Sequence, residues 1–319
     1  MPSSSTSIFS EPDEFEAALG RQTDVNLLLT GQGRFRGRLT QVALHRLHLA
    51  VSDEVISRIA FMSSRPNLVL VWWVIGRHAS QVWRGTPTLA GEIMILGPGD
   101  QAHARTQGAS CWAGLWIPTA DLDRYSQVLN GTPCPALTGA CSWRPNHTAL
   151  RTLRVLHAAA IRMFENRPGE ALSESAVHGL EQQLVHALVE CLSCGAPRTQ
   201  TSKIRRPRSS TMAYFEDACV THAHRAPTLN EFCVALGVPA RTMRSSCAQH
   251  LGMSPMNYFR LHKMKSVRRA LRSACPAETS VSELARRHGI TDLGRFAARY
   301  RQSFGELPSA TLQRSVAVP

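Results

Sequence analysis

Apolar positions along this chain change their period partway through, and each period predicts a different layer of structure. From residue 24 to about 117 the apolar residues fall in short runs broken by Gly, Pro and Asn. Residues 25–29, 35–39, 44–51, 67–75, 81–83 and 92–96 have the length and composition of strands. Arg34-Phe35-Arg36 and Arg46-Leu47-His48-Leu49 also alternate with the period of two that half-buried strands require. Many short strands between turn signals predict an antiparallel barrel or sandwich. Ahead of them, residues 1–13 are polar and Ser-rich and predict disorder, while residues 15–19 suit a short helix.

The period then lengthens. Residues 146–166 place Leu150, Leu153, Leu156, Ala160 and Met163 on one helical face, and residues 172–192 do the same with Val177, Leu180, Leu184, Leu188 and Leu192. Ser173 or Ser175 is a natural cap for the second helix. Residues 193–210 lose all periodicity and mix Gly, Pro and Ser with basic residues, the signature of a linker. Beyond it, one pattern is written twice, over residues 231–255 and 283–308. Each copy has a short amphipathic run, a Gly (Gly237, Gly289), a longer run, a second Gly (Gly252, Gly305) and a Pro three residues on (Pro255, Pro308). Gly suits the positive φ of a tight turn and of a helix C′ position, and Pro cannot continue the preceding helix. Two helix-turn-helix units therefore follow, with second helices over about 239–250 and 292–303. Between them residues 254–273 read as one helix capped by Ser254. At 1.5 Å per residue it spans roughly 30 Å, close to the ~34 Å repeat of B-DNA.

The doubled unit resembles the DNA-binding domain of AraC-type (AraC/XylS) transcription regulators. The matching residues are Thr228-Leu229, Gly237-Val238, Gly252-Met253-Ser254-Pro255, residues 281–285, Gly289, Phe296, Tyr300, Phe304-Gly305 and Pro308, within about 209–315. Cys233, Pro239 and Cys247 depart from the residue types usual in the family. The resemblance implies that Arg241, Arg244 and Ser245 of the first recognition helix, and Leu293, Gly294 and Arg295 of the second, face the major groove. Arg can pair bidentately with guanine and Leu can meet a thymine methyl. Arg268 and Arg269 of the connecting helix and Arg286 of the second unit are candidate phosphate contacts. Residues 90–99 more loosely resemble the cupin-like sensor domains that often precede such modules. In the family, a helix pair in the position of residues 146–192 commonly dimerises. The alternative is that the leucine stripe covers the sensor barrel.

Charge supports a polyanionic partner. From Lys203 onward there are 19 Lys and Arg against 7 Asp and Glu, whereas the preceding residues hold 17 against 16. No export signal or membrane-length apolar run is evident, and nine scattered cysteines read as reduced thiols, so a cytoplasmic location is expected. The lone Cys191/Cys194 pair lacks further ligands for zinc, His45 and His48 fall on opposite strand faces, and no catalytic Ser elbow or phosphate loop occurs. No cofactor is implied, and a catalytic cupin is the less favoured reading. Trp72, Trp83, Trp112 and Trp116, with His103 as a polar anchor, are candidates for lining a ligand pocket, against the plainer reading that most of them are core.

The expected architecture is an α+β multidomain chain. A disordered N-terminus (1–13) precedes a cupin-like antiparallel β domain (14–142), a helix pair (143–193), a linker (194–208) and an all-α double helix-turn-helix domain (209–319). The expected function is sequence-specific, ligand-responsive transcription regulation, weighted toward activation. Double-stranded DNA, a small-molecule effector, RNA polymerase and a second copy of the chain are the expected partners, with no membrane.

Overall fold

The computed structural model describes residues 2–76, 80–134, 139–165, 173–198 and 207–314. Its N-terminal half is built on strand β6 (Leu68–Val74), which explains the most apolar run in the sequence. Leu70 and Trp72 enter one core, while Val69, Val71 and Trp73 enter another. Its neighbour β11 (Ser110–Pro118) divides in the same way, with Trp112 and Trp116 on one side and Ala113, Leu115 and Ile117 on the other. Strands buried on both faces have no polar face to alternate with.

Around this pair runs an antiparallel sheet in the order β1 (Ser3–Phe9), β3 (Gly37–Ala43), β4 (His48–Glu54), β11, β6, β9 (Ile93–Leu96), β12 (Cys141–Arg144), β13 (Ala196–Pro197). A smaller sheet, β2 (Thr23–Leu29), β5 (Arg58–Ser64), β10 (Gln101–Thr106), β7 (Gln81–Trp83) and β8 (Thr86–Pro87), faces its inner side. Leu27, Ala60, Trp83 and Ala104 of the smaller sheet share a core with Trp72, Met94, Trp112 and Trp116 of the larger one. This is the expected antiparallel sandwich. Helix α1 (Pro12–Leu19) plugs one end of it through Phe15 and Leu19.

Two expectations change. Residues 3–9 are not disordered: they pair with β3 over the whole strand, and the Thr6 and Thr40 hydroxyls lie 3.0 Å apart. The pairing is carried by backbone groups, so the polar, exposed side chains did not announce it. The leucine stripe is also spent. Helices α2 (Thr119–Asn130), α3 (His147–Glu165) and α4 (Glu174–Ser193) cover the outer face of the large sheet. Val177, Leu184, Leu188 and Leu192 of α4 all lie in that core, so they offer no apolar face to a second copy. Ser173 caps α4 as expected.

The C-terminal half is helical: α5 (Pro207–Thr221), α6 (Leu229–Ala235), α7 (Ala240–Leu251), α8 (Pro255–Ser273), α9 (Val281–Arg287), α10 (Leu293–Phe304) and α11 (Pro308–Arg314). Thr228 and Glu231 form a reciprocal capping box at α6, and Ser254, Ser280 and Asp292 cap α8, α9 and α10. Pro239, at the start of α7, gives no side-chain cap. Gly252 and Gly305 close the two recognition helices at φ 69° and 71°, left-handed values that cost a residue with a Cβ. Pro255 and Pro308 then begin the next helices at a position where a missing N–H is harmless.

Candidate DNA interface and sensor chamber

Helix α7 turns Met243, Ser246, Cys247 and Leu251 inward and leaves Arg241, Arg244 and Ser245 exposed. This is the face expected from the sequence, set by the three-to-four spacing of its buried residues. Among the described residues neither Arg241 nor Arg244 has an ion pair or hydrogen bond. Helix α10 buries Phe296 and Tyr300 and exposes Gly294 and Arg295, with Leu293 half-buried. Arg295 differs from its counterparts in the first unit, because its Nε lies 3.1 Å from Asp292, the cap of its own helix. Arg286 is exposed on α9. Both recognition helices meet the N-terminal domain through their C-terminal ends. Gln249 and His250 approach Gly85, Gly252 lies against Arg105, and Gly305 against Arg34. Their first turns, the part that reaches base edges in helix-turn-helix proteins, stay open.

The connecting helix α8 joins the two units over 19 residues, about 28 Å. Its basic face does not carry the contacts expected of it. Arg268, buried, pairs with Glu11 and, at 2.9 Å, with Glu306, and its guanidinium stacks 4.5 Å from the Phe304 ring centroid. Arg269 reaches Asp13 at 3.0 Å and Glu16 at 2.8 Å. Arg272 reaches Glu11 and Glu14, both at 2.9 Å, and buried Lys265 pairs with Glu16. Helix α1 and the Glu11 at its N-terminus thus lay four carboxylates along the basic face of α8. Burial pushes the Glu16 carboxyl up and the Lys265 ammonium down, each partly offset by the other's charge. Arg268 and Arg269 were expected to meet phosphate, and in this arrangement they meet protein carboxylates. Sequence alone hides this, since the N-terminal partners Glu11 and Asp13 lie more than 250 residues away.

A second seam lies between β10 and the first unit. Glu216 of α5 accepts hydrogen bonds from Asn26 (2.6 Å) and from the Tyr258 hydroxyl. His103 Nε2 stands 3.3 Å from the same carboxylate and His262 Nε2 3.4 Å. Burial alone would raise this carboxyl, but the hydrogen bonds and charge of His103 and His262 outweigh it and hold the group far below the usual carboxylate range. His103, expected as a ligand anchor, instead faces the DNA-binding domain.

The tryptophans divide likewise. Trp72, Trp112 and Trp116, with Phe15 and Leu19 of α1, line a cavity of about 40 Å³ between the two sheets. Trp83 does not line it; it packs edge-on against Trp72, ring centroids 5.4 Å apart. The cavity also holds a charge that sequence reading missed. Arg58 is bound through two nitrogens to Glu54, which also accepts the Trp112 indole N–H at 2.7 Å. Among the described residues no three His, Cys, Asp or Glu side chains converge as a metal site would need, and all nine cysteines are free thiols. No helix among those residues is long and apolar enough to cross a membrane.

Comparison with known proteins bears on both halves. A family described as a helix-turn-helix domain matches residues 232–314. The XylDLEGF operon transcriptional activator of Pseudomonas putida is 26% identical over 249 residues, covering 73% of this chain and 71% of that protein. The XylDLEGF operon transcriptional activator 3 of the same organism is 40% identical over 236 residues, covering 70% and 65%. Among solved structures, the AraC-like transcriptional activator CuxR matches 88% of this chain and 99% of its own at 15% identity, with a TM-score of 0.43.

Proposed function

We propose, from the premise that this chain is an AraC/XylS-type transcription regulator that binds DNA sequence-specifically, that it is an activator switched by a small molecule held in the N-terminal sandwich. The observation that carries the DNA-reading part is the exposure of Arg241, Arg244 and Ser245 on α7 and of Gly294 and Arg295 on α10, in two units joined by one 19-residue helix. A strut of that length sets the two recognition helices near one helical repeat of B-DNA, so each can enter a successive major-groove segment on one face of the duplex. Activation is supported by the likeness to two Pseudomonas operon activators, and RNA polymerase is the partner that an activator would recruit.

The switching part rests on α1. Its Phe15 and Leu19 wall the cavity, while Glu11, Asp13, Glu14 and Glu16 hold the basic face of α8. A molecule that fills the cavity displaces the wall, and the same rigid two-turn helix carries that displacement to α8. A ligand shifts such an equilibrium only by its differential affinity for the two arrangements.

The test is affinity selection of genome fragments with the full-length protein at two salt concentrations. The expected result is a recurring asymmetric motif of two boxes about one helical turn apart. Uniform recovery that collapses at the higher salt would mean that binding rests on the phosphate backbone, and the proposal would fail.

A further inference from the structure

The cavity walls specify a class of occupant. Of the polar side chains that line the cavity, Arg58, Thr23, Trp112 and Trp116 are committed, while the Gln81 amide has no hydrogen bond among the described residues. Arg58, the cationic wall residue, is neutralised by the fully buried Glu54 through two hydrogen-bonding nitrogens. The Trp112 indole donates to that same carboxylate, and the Trp116 indole donates to Thr23 at 2.6 Å. Beyond the cavity, Trp83 and Trp143 also donate, to the carbonyls of Cys141 and Cys191. Trp72 stands apart. Its indole N–H is fully buried and has no acceptor among the described residues. A buried donor left unmade is costly, and a molecule that supplies an acceptor recovers that cost.

We propose that the cavity takes an uncharged, compact apolar molecule, a single ring or a short chain, with one hydrogen-bond acceptor directed at Trp72. This rests on the reading that the cavity is the effector site. An anionic ligand is disfavoured by the same walls. Glu54 has taken the charge of Arg58, so a carboxylate entering here would be buried without a cation. The size limit follows from volume. A cavity of about 40 Å³ is well below the ~150 Å³ that admits benzene, so even one ring requires the unbranched Met62 and the α1 wall to yield.

Acetophenone, ethylbenzene and benzoate share one shape and separate these requirements, and quenching of the wall tryptophans in the full-length protein reports their binding. Acetophenone is expected to bind about three- to tenfold more tightly than ethylbenzene, the worth of one hydrogen bond, with benzoate weakest. Trp72→Phe keeps the ring and removes the N–H. It should bring acetophenone to the level of ethylbenzene and leave ethylbenzene unchanged, which also shows that the variant has kept its cavity. Glu54→Gln releases the charge of Arg58 while keeping an acceptor for Trp112, and should turn the preference toward benzoate. Tighter binding of benzoate than of acetophenone by the unaltered protein would overturn the inferred class and leave the effector site standing. Failure of all three probes to bind would remove the effector site itself, and the inference with it.

Discussion

The two helix-turn-helix units repeat one pattern but are held and armed differently. The first shares its core with the N-terminal sandwich: Leu28 and Ile59 pack among Phe215, Phe232, Met243 and Tyr258, and the Glu216 cluster pins α5 and α8 to β10. The second has a core of its own, Met264, Leu271, Leu284, Phe296 and Tyr300, with the Tyr300 hydroxyl donating to Thr311 at 2.8 Å, and touches the N-terminal sandwich through Phe304 and Gly305. Their arginines differ as well. Arg241 and Arg244 stand bare, whereas Arg295 is tied to Asp292. A duplicated sequence has thus produced one unit that shares a core with the N-terminal sandwich and exposes Arg241 and Arg244, and another that meets the sandwich at the end of α10 and ties its exposed Arg295 to Asp292. Under the proposed function, the first unit would carry both the signal and the larger share of the specificity.

Removing the fastening should have the largest effect. Glu216→Gln leaves His103, His262 and Tyr258 around a neutral amide, and is expected to cost roughly 3 kcal/mol or more in urea unfolding. A loss below 1 kcal/mol would mean the seam does not hold the first unit. Acid probes the same group. Because its folded pKa lies below the ordinary value of 4.5, the stabilisation is complete above about pH 4.5 and is lost as pH falls below it. Hydrogen exchange in α7 should therefore rise on acidification before exchange in α10 does. Next comes base reading. Arg244→Ala is expected to weaken specific DNA binding by about 2 kcal/mol, and Arg295→Ala by less than half of that. Equal losses in a titration against the selected site would erase the asymmetry.

Thr311→Val, which takes an acceptor from Tyr300 and a donor from Glu306, should cost about 1–2 kcal/mol in urea unfolding. The smallest change is Asp292→Asn. Asn still caps α10, so stability should hold, while the freed Arg295 improves DNA affinity by about threefold. Unchanged affinity would show that the tie does not restrain Arg295.

What the sequence disclosed follows from the range of the interactions. The doubled helical units were legible down to their turn glycines and the Ser254 cap, because Ser254, Gly252 and Gly305 act on neighbours within a few residues, while the caps Thr228, Ser280 and Asp292 emerged with the structure. The exposed faces of α7 and α10 followed from spacing alone. In the sandwich, several strands with apolar runs or clear turn signals could be read, but the central β11 was not, and β5 and β10 carry Arg58, His103 and Arg105 within their spans and gave no clean alternation. Those polar residues are the ones that build the cavity ion pair and the domain seam. The partner of the α4 stripe was equally hidden. Periodicity states that a face is apolar, and only the folded chain states that the large sheet covers it. Three of the tryptophans singled out do wall the cavity, while Trp83 backs Trp72 and His103 turns toward the other domain, differences of side-chain direction that composition cannot carry.

The carboxylates along α8 also bear on how such a chain would travel on a chromosome. A bare strut with Lys265, Arg268, Arg269 and Arg272 exposed would hold any duplex, since each neutralised phosphate releases counterions whatever the sequence. Glu11, Asp13, Glu14 and Glu16 occupy those cations from within. The clamped chain then has fewer charges to exchange at each chance encounter, and its residence on the wrong DNA is short. Salt loosens the internal seam together with the external contact, so affinity for random duplex should fall less steeply with ionic strength than the basic content of the C-terminal half implies. Neutralising Glu11 and Glu14 as glutamines should steepen that slope, and with it slow the search.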